Sequence, residues 1–220
     1  MKRREAGFSF IEILVVMGII SVLVSMVVVF IPKIVEKQNQ TKSKDNVHNL
    51  IMMLISRKDK GGWPPYNGKN FHLSLVATQT VDIRNVQNLE VFFSPGDTHF
   101  TLAKAGGADK YKELEGKQGK AALKAGQDFH ELTSYAGRRN NGEYEITSDQ
   151  ESQDTIIICD DDDGPVHHSG GIIVGYTSSK CLYLEWEELD MPKPNDADHP
   201  DPFLGDQASN DMLRRLSSGS

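Results

Sequence analysis

Basic residues are in the minority in this chain of 220 residues, which has 24 lysines and arginines against 31 aspartates and glutamates and a net charge of −7. Contacts to nucleic-acid phosphates need clustered lysine and arginine side chains. The sequence has no basic stripe with interleaved aromatic residues. The composition therefore argues against a nucleic-acid-binding protein, and we predict no nucleic-acid partner.

Signatures of catalysis are missing as well. The sequence has no G-x-S-x-G motif, no cysteine with a patterned histidine partner, and no glycine-rich loop in the strand-before, helix-after context of a phosphate site. We therefore predict that the protein is not an enzyme.

Cysteine is scarce, with only Cys159 and Cys181 in the whole chain. Two cysteines allow one intramolecular disulfide, which an exported domain could form because oxidising compartments permit it. A reactive thiol has no local signature here, and two reduced, buried cysteines are a further alternative. We predict the Cys159–Cys181 disulfide and leave the other readings open.

The amino terminus holds the most informative segment. A short basic stretch ending at Gly7 precedes 24 residues from Phe8 to Ile31 that carry a single formal charge, Glu12. At about 1.5 Å per residue a helix of this length reaches about 36 Å, enough for a hydrocarbon core of about 30 Å. The run is longer than the apolar region of a secretory signal peptide and is followed by Pro32. It is therefore predicted to be a membrane-spanning helix that signal peptidase does not remove.

The charges around this helix predict its orientation and raise a question about Glu12. Lys2, Arg3 and Arg4 precede the span, so the positive-inside tendency places the first residues in the cytoplasm. A carboxylate at the bilayer centre would cost about 2.5 to 3.5 kcal/mol, and less near the interface. Cleavage after Gly7 would create a compensating α-amino group, which a staggered neighbouring helix could bring to Glu12. We therefore interpret the chain as a subunit whose charge is paired on assembly.

Together these residues resemble the signal of type IV pilins and of the pseudopilins of type II secretion. The matching elements are the basic leader, Gly7, Phe8, Glu12 and the following apolar span. The resemblance implies cleavage after Gly7 by a prepilin peptidase, N-methylation of Phe8, and polymerisation through the apolar helix. It also implies homo- and hetero-oligomeric pilin or pseudopilin partners, an inner-membrane assembly platform, contact with membrane lipid, and a periplasmic carboxy-terminal domain. Removal of residues 1–7 leaves 21 basic and 30 acidic residues, so the mature chain has a net charge of −9.

The rest of the chain predicts an α+β fold, in which the long amino-terminal helix packs on a small antiparallel sheet as in a pilin roll. An apolar stripe at helical spacing predicts that the helix continues, with a bend at Pro32, to about Arg57. Its members are Val47, Leu50, Ile51, Leu54 and Ile55. The predicted division is a leader at 1–7, a transmembrane helix at 8–31, its amphipathic continuation at 32–60, an α+β domain at 61–190, and a disordered acidic, proline-rich tail at 191–220.

Within the domain we expect a second helix at 71–80 and an exposed insertion near 102–126. The predicted strands are 89–93, 143–147, 155–159, 172–176 and 181–187, the last two joined by a hairpin loop at 177–180. In the last strand, Leu182, Leu184 and Trp186 share one face and Cys181, Tyr183 and Glu185 the other. Trp63 and Trp186 are expected to pack in the core.

One acidic run is a candidate metal site. Calcium prefers several oxygen ligands, and the resemblance to the major pseudopilins raises the possibility of calcium in a carboxy-terminal loop. The candidate ligands are Asp160, Asp161, Asp162 and Asp163. A solvated acidic loop is the alternative, because the spacing does not match an EF-hand. Zinc at His167 and His168 is a minor alternative, since adjacent histidines rarely bind one ion together.

A second function class also fits the sequence. The chain could be a monomeric, single-pass membrane-anchored domain that binds a ligand or metal through residues 160–168. Amino-terminal sequencing would separate the alternatives, because a filament subunit would begin at Phe8 and a plain anchor at Met1.

Overall fold

The computed structural model describes residues 9–97, 100–127, 129–140, 144–160, 168, 170–189, 204 and 213–217. Contacts between residues divide the chain into two units, 1–38 and 39–220. The described part of the first unit is helical from Phe10 onward. The second unit contains helices and an antiparallel sheet, so the predicted α+β class is confirmed.

Helix α1 extends from Phe10 to Gly61 and is the longest element. Pro32 lies inside it, and the bend predicted there stays a prediction. The helix ends because Gly62 adopts a φ of +81° and donates its N–H to the carbonyl of Lys58 at 2.7 Å. A left-handed glycine of this kind satisfies a carbonyl that the last helical turn leaves without a partner. The predicted end near Arg57 is thus one turn short of the observed end.

The sheet contains five described strands in the order β4-β3-β2-β1-β5, all antiparallel to their neighbours. They are β1 (Tyr135–Arg138), β2 (Ile156–Asp160), β3 (Gly171–Tyr176), β4 (Cys181–Glu185) and β5 (Leu216–Ser217). The predictions of β2, β3, β4 and the hairpin loop between β3 and β4 are confirmed within one or two residues.

Two predicted strands are wrong. The segment predicted at 89–93 instead contains the end of helix α3 (Val86–Glu90), because the Asn85 side chain accepts the N–H of Gln87 and caps a helical turn. In the segment predicted at 143–147, the described residues 144–147 form no strand. There the Ile146 N–H donates to the side chain of Asn140 rather than to a neighbouring strand. The sequence prediction missed β1.

The segment near 102–126, predicted to be an exposed insertion, is largely exposed but also contributes buried side chains to the core. Helix α2 (Lys69–Ala77) contacts helix α5 (Gly116–Lys124), and the short helix α4 (Ala108–Tyr111) precedes α5. The side chains of Tyr111, Leu114 and Leu123 are buried, and the Tyr111 hydroxyl donates to the carbonyl of Leu132. The glycines delimit short helices here, so the apolar residues between them still reach the core.

Residues 204 and 213–217 of the carboxy-terminal tail contribute to the fold, and the rest of 191–220, where disorder was predicted, lies outside the described residues. Strand β5 pairs with β1, with Leu216 opposite Arg138. Leu204, Leu213 and Leu216 are buried. Because many polar residues separate these leucines in the sequence, they form no recognisable periodic pattern. In the folded unit they nevertheless pack in one cluster beside the sheet.

Two apolar clusters use the alternating side chains of the strands. One contains the buried stripe of α1, helix α2 and Ile173; the other contains Trp186, Val174 and the tail leucines. The two predicted faces of β4 are confirmed, since Leu182 and Leu184 pack with the Trp186 cluster while Cys181 and Tyr183 pack with the α1 cluster. Trp63 also packs against the α1 cluster, and Trp186 is buried, as predicted.

The apolar stripe of α1 is confirmed in the second unit. Val47, Leu50, Ile51 and Leu54 are fully buried, and Ile55 is partly buried. Ile51 and Val47 lie directly over Gly175 of β3, where the absence of a side chain allows close approach. The predicted packing of this helix on a sheet is therefore correct.

Candidate functional site

The first turn of α1 holds Glu12 in a defined position. The backbone N–H of Ser9 donates to Glu12 Oε2 at 2.8 Å, and the N–H of Ile13 donates to the Ser9 carbonyl at 3.3 Å. A helix leaves its first four N–H groups without intrahelical acceptors, and a glutamate three residues after a serine can accept such a hydrogen bond. Glu12 therefore caps its own helix.

This contact adds a partner within the chain that the sequence interpretation did not name. The Ser9-x-x-Glu12 spacing of a capping box was the signal that could have predicted it. A neutral N–H compensates a carboxylate only in part, because it carries no formal charge. The negative charge of Glu12 is still available to a cation from another chain.

Gly7 and Phe8, the predicted processing residues, lie outside the described residues. They immediately precede Ser9, so the predicted cleavage position adjoins the capped turn in the sequence. Their roles stay predictions.

The surface of α1 in the first unit is almost entirely apolar. The large apolar side chains between Phe10 and Val35 are 47 to 77 % exposed. The hydroxyls of Ser21 and Ser25 donate to the carbonyls of Met17 and Val22 at 2.8 and 2.7 Å, so the helix satisfies these polar groups internally. This is the condition for a helix in hydrocarbon. Among the described residues, α1 is the one helix long and apolar enough to cross a membrane.

The exposed apolar side chains of this part of α1 need an apolar environment to cover them. Burying one large aliphatic or aromatic side chain is worth about 1.5 to 3 kcal/mol, and an apolar patch this large marks a membrane or protein contact. The segment is suited to anchoring, to helix–helix association, or to both.

Of the four aspartates proposed as calcium ligands, only Asp160 lies within the described residues. Its carboxylate accepts the Ile173 N–H at 3.0 Å and lies 3.7 Å from Nε2 of His168, and both side chains are buried. No group of three or more histidine, cysteine, aspartate or glutamate residues in the described ranges could hold a metal ion. Asp161, Asp162, Asp163 and His167 lie outside those ranges, so calcium binding stays a prediction.

The structure contains no disulfide between Cys159 and Cys181, and both side chains are buried. Cys159 lies on β2 and Cys181 on β4, with β3 between them. Two strand spacings separate their backbones by about 9 to 10 Å, whereas a disulfide needs Cα atoms within about 7 Å. They also belong to opposite apolar clusters. Burial, the larger cause, raises the pKa of Cys181 to about 12, and the structure has the two cysteines as in the alternative of two reduced, buried thiols.

Two buried polar residues were not identified from the sequence. His72 of α2 is fully buried, and desolvation followed by the charge of Lys69 lowers its pKa to about 3. Arg138 of β1 is also buried, and desolvation followed by the charge of Arg215 lowers its pKa to about 10. Neither residue lies in a motif, and only the fold reveals their burial.

Comparison with known proteins gives one match. Residues 2–28 match the family model described as the prokaryotic N-terminal methylation motif. No curated protein and no solved structure matches the chain.

These observations indicate the general class of the protein first. A long apolar amino-terminal helix together with this motif fits a membrane-anchored protein. More particularly, they fit a type IV pilin-like prepilin signal, which implies processing by prepilin peptidase and pilin-type assembly. Pilin-like proteins that carry the motif are structural subunits rather than enzymes.

Proposed function

We propose that the protein is a structural subunit of a type II secretion pseudopilus or a type IV pilus-like filament. It is cleaved after Gly7, N-methylated at Phe8, and assembled in the inner membrane with its carboxy-terminal domain in the periplasm. Its work is mechanical rather than catalytic. The single observation that carries this proposal is the methylation motif at residues 2–28, which overlaps a helix whose apolar side chains are all exposed from Phe10 to Val35.

The apolar surface of α1 supports the assembly role. In a protomer this surface contacts lipid, and in a filament it contacts the same helix of neighbouring subunits. Association exchanges one apolar environment for another, so helix packing and polar contacts decide the geometry. A charged group in this segment therefore has a large influence on the stagger between subunits.

Glu12 is that group. Its hydrogen bond to Ser9 holds the carboxylate at the amino-terminal end of the helix. A neighbour trimmed after Gly7 presents a positively charged α-amino group on Phe8. Pairing of the two charges away from water favours one stagger, because an ion pair is stronger in a low dielectric.

Processing is tested by mass spectrometry of the protein from cells with and without a prepilin peptidase. We expect a chain that begins at a methylated Phe8 only when the peptidase is present. Gly7→Val should leave the leader attached, because a bulky side chain occupies the cleavage position. A wild-type protein that begins at Met1 in the presence of an active peptidase would contradict the proposal and favour the monomeric anchor.

The role of the Glu12 charge is tested with two substitutions that separate capping from charge. Glu12→Gln keeps an acceptor for the Ser9 N–H but removes the charge, whereas Glu12→Ala removes both. We expect both variants to be inserted and cleaved, and both to enter filaments about tenfold less than the wild type in sheared-filament immunoblots. Glu36→Gln, in the same helix beyond the apolar segment, is the matched control and should assemble normally. Normal assembly of Glu12→Gln would show that capping alone is needed.

A further inference from the structure

Arg138 is a buried cation whose described contacts are all to neutral groups. Its side chain is 1 % exposed. Nη2 donates to the carbonyl of Tyr144 at 3.2 Å and to Oε1 of Gln150 at 3.0 Å. Nε is buried and has no hydrogen-bond partner among the described residues. A buried guanidinium without an anionic partner is unfavourable, because desolvation of the charge is not compensated.

A second guanidinium lies close to the first. The Arg139 N–H donates to the Arg215 carbonyl at 2.9 Å, which holds the chain next to β5 against the end of β1. Burial lowers the pKa of Arg138, and the positive charge of Arg215 lowers it further. Two like charges that repel each other in this way are stabilised by an anion placed between them.

Both arginines line one cavity, of about 290 Å³, together with Gln153, Thr155 and Tyr176. A water occupies about 30 Å³ in the liquid, so the cavity has room for an oxyanion with several waters. Burial, and then the charge of Asp154, raise the pKa of Tyr176, so its hydroxyl stays protonated.

Asp154 is the one acid lining this cavity among the described residues. Its Oδ1 accepts the Ser178 N–H at 3.3 Å. It forms no salt bridge with Arg138 or Arg215 within the described part of the chain. Among the described residues that line the cavity, the two positive charges therefore exceed the one negative charge.

We propose that this cavity binds a small oxyanion, a phosphate or a carboxylate, between the guanidinium groups of Arg138 and Arg215. The planar, five-donor guanidinium matches the two oxygens of such a group and can bind it through paired hydrogen bonds. The Nε of Arg138 has no hydrogen-bond partner among the described residues, which favours an additional acceptor beside this side chain. The proposal does not depend on filament assembly.

The test is calorimetric titration of the full-length protein in detergent with sodium phosphate and with sodium acetate, each against sodium chloride at equal ionic strength. We expect saturable binding of phosphate, of acetate or of both to the wild type, and the preferred anion identifies the ligand class. Arg215→Gln should weaken binding about tenfold or more. Arg214→Gln is the matched control, since it removes the same charge from the neighbouring exposed residue, and it should bind within about twofold of the wild type.

Two results would overturn the proposal. One is the absence of saturable binding beyond that of chloride. The other is equal weakening by Arg214→Gln and Arg215→Gln, which would indicate a general charge effect. At position 138 the test uses Arg138→Lys, because removal of the charge in Arg138→Gln could unfold the protein. Arg138→Lys keeps the charge but loses the planar fork, and wild-type affinity in a folded Arg138→Lys protein would also count against the site.

Discussion

His72 shows how a single buried residue depends on its protonation state. Its Nε2 lies 2.9 Å from the Thr133 hydroxyl oxygen, and that hydroxyl donates to the Phe92 carbonyl at 2.9 Å. Since the hydroxyl hydrogen is already used, Nε2 must carry the hydrogen that joins the two residues. The lowered pKa keeps the ring neutral, so Nδ1 carries no hydrogen, and it has no hydrogen-bond partner among the described residues. Protonation would place a charge in the core beside Phe92.

The first prediction concerns the pH dependence of stability through His72. Its folded pKa of about 3 lies below the ordinary value of 6.5, so the unfolded chain binds the extra proton first. The stabilisation is complete above about pH 6.5 and is lost as the pH falls toward 3, at up to about 1.4 kcal/mol per pH unit. Urea unfolding followed by tryptophan fluorescence should show a smaller acid dependence in His72→Gln than in the wild type.

The control for this prediction is His48→Gln, because His48 is exposed. That variant should keep the wild-type slope between pH 6.5 and 4.5. If the slope of His72→Gln equals that of His48→Gln, the buried neutral histidine does not contribute as described.

At the residue scale, the sequence predicted those features that are local in the chain. The spacing of Glu12 from the apolar start was visible directly, and the methylation motif at residues 2–28 bears out the resemblance. Whether Cys159 and Cys181 lie close enough for a disulfide was not predictable, because their separation depends on the strand order and on the face that each residue occupies. The buried charge of Arg138 was hidden for the same reason.

At the element scale, α1 and β3 approach each other through Gly175. A Cβ at this position would lie 2.2 Å from Ile51 Cδ1 and 2.8 Å from Val47 Cγ1. Both distances are below van der Waals contact, and the two side chains are fully buried. The helix therefore packs on the sheet at a distance that only glycine allows.

The second prediction follows from this contact. Gly175→Ala should lower the free energy of unfolding by about 1 to 3 kcal/mol, as expected for overpacking of a core. Urea unfolding measures the change. Gly61→Ala is the matched control, since nothing lies within 4 Å of the added Cβ and the residue is helical. A loss no larger in Gly175→Ala than in the control would show that the helix and the sheet are not in close contact.

The accuracy of the element predictions has a physical pattern. The stripe of α1 and the strands β2 to β4 were recognisable because their apolar residues follow a local pattern in the sequence. Residues 89–93 have the apolar, aromatic composition of a strand, yet the Asn85 cap favours a helical turn. Strand β1, with the sequence Tyr-Ala-Gly-Arg, has no alternation because all four residues are buried.

At the scale of the whole molecule, the described residues 213–217 add to the sheet and the core of the second unit. Strand β5 covers the β1 edge of the sheet, and the buried leucines of the tail join the cluster around Trp186. The same return of the chain brings Arg215 to Arg138. The composition of the tail led us to separate it from the domain. The pairing of β5 with β1, however, joins residues that are far apart in the chain, which composition does not predict.

The third prediction tests whether the tail is part of this cooperative unit. Leu213 is fully buried among residues that include Trp186 and Leu204, so Leu213→Ala removes apolar contacts and leaves a cavity. We expect a decrease of about 2 to 5 kcal/mol in the free energy of unfolding, measured by urea titration with tryptophan fluorescence. Arg214→Ala changes the next residue, which is exposed, and should alter stability by no more than about 0.5 kcal/mol. If both variants unfold at the wild-type urea concentration, the tail does not stabilise the unit, and the pairing of β5 with β1 cannot hold Arg215 at the proposed anion site.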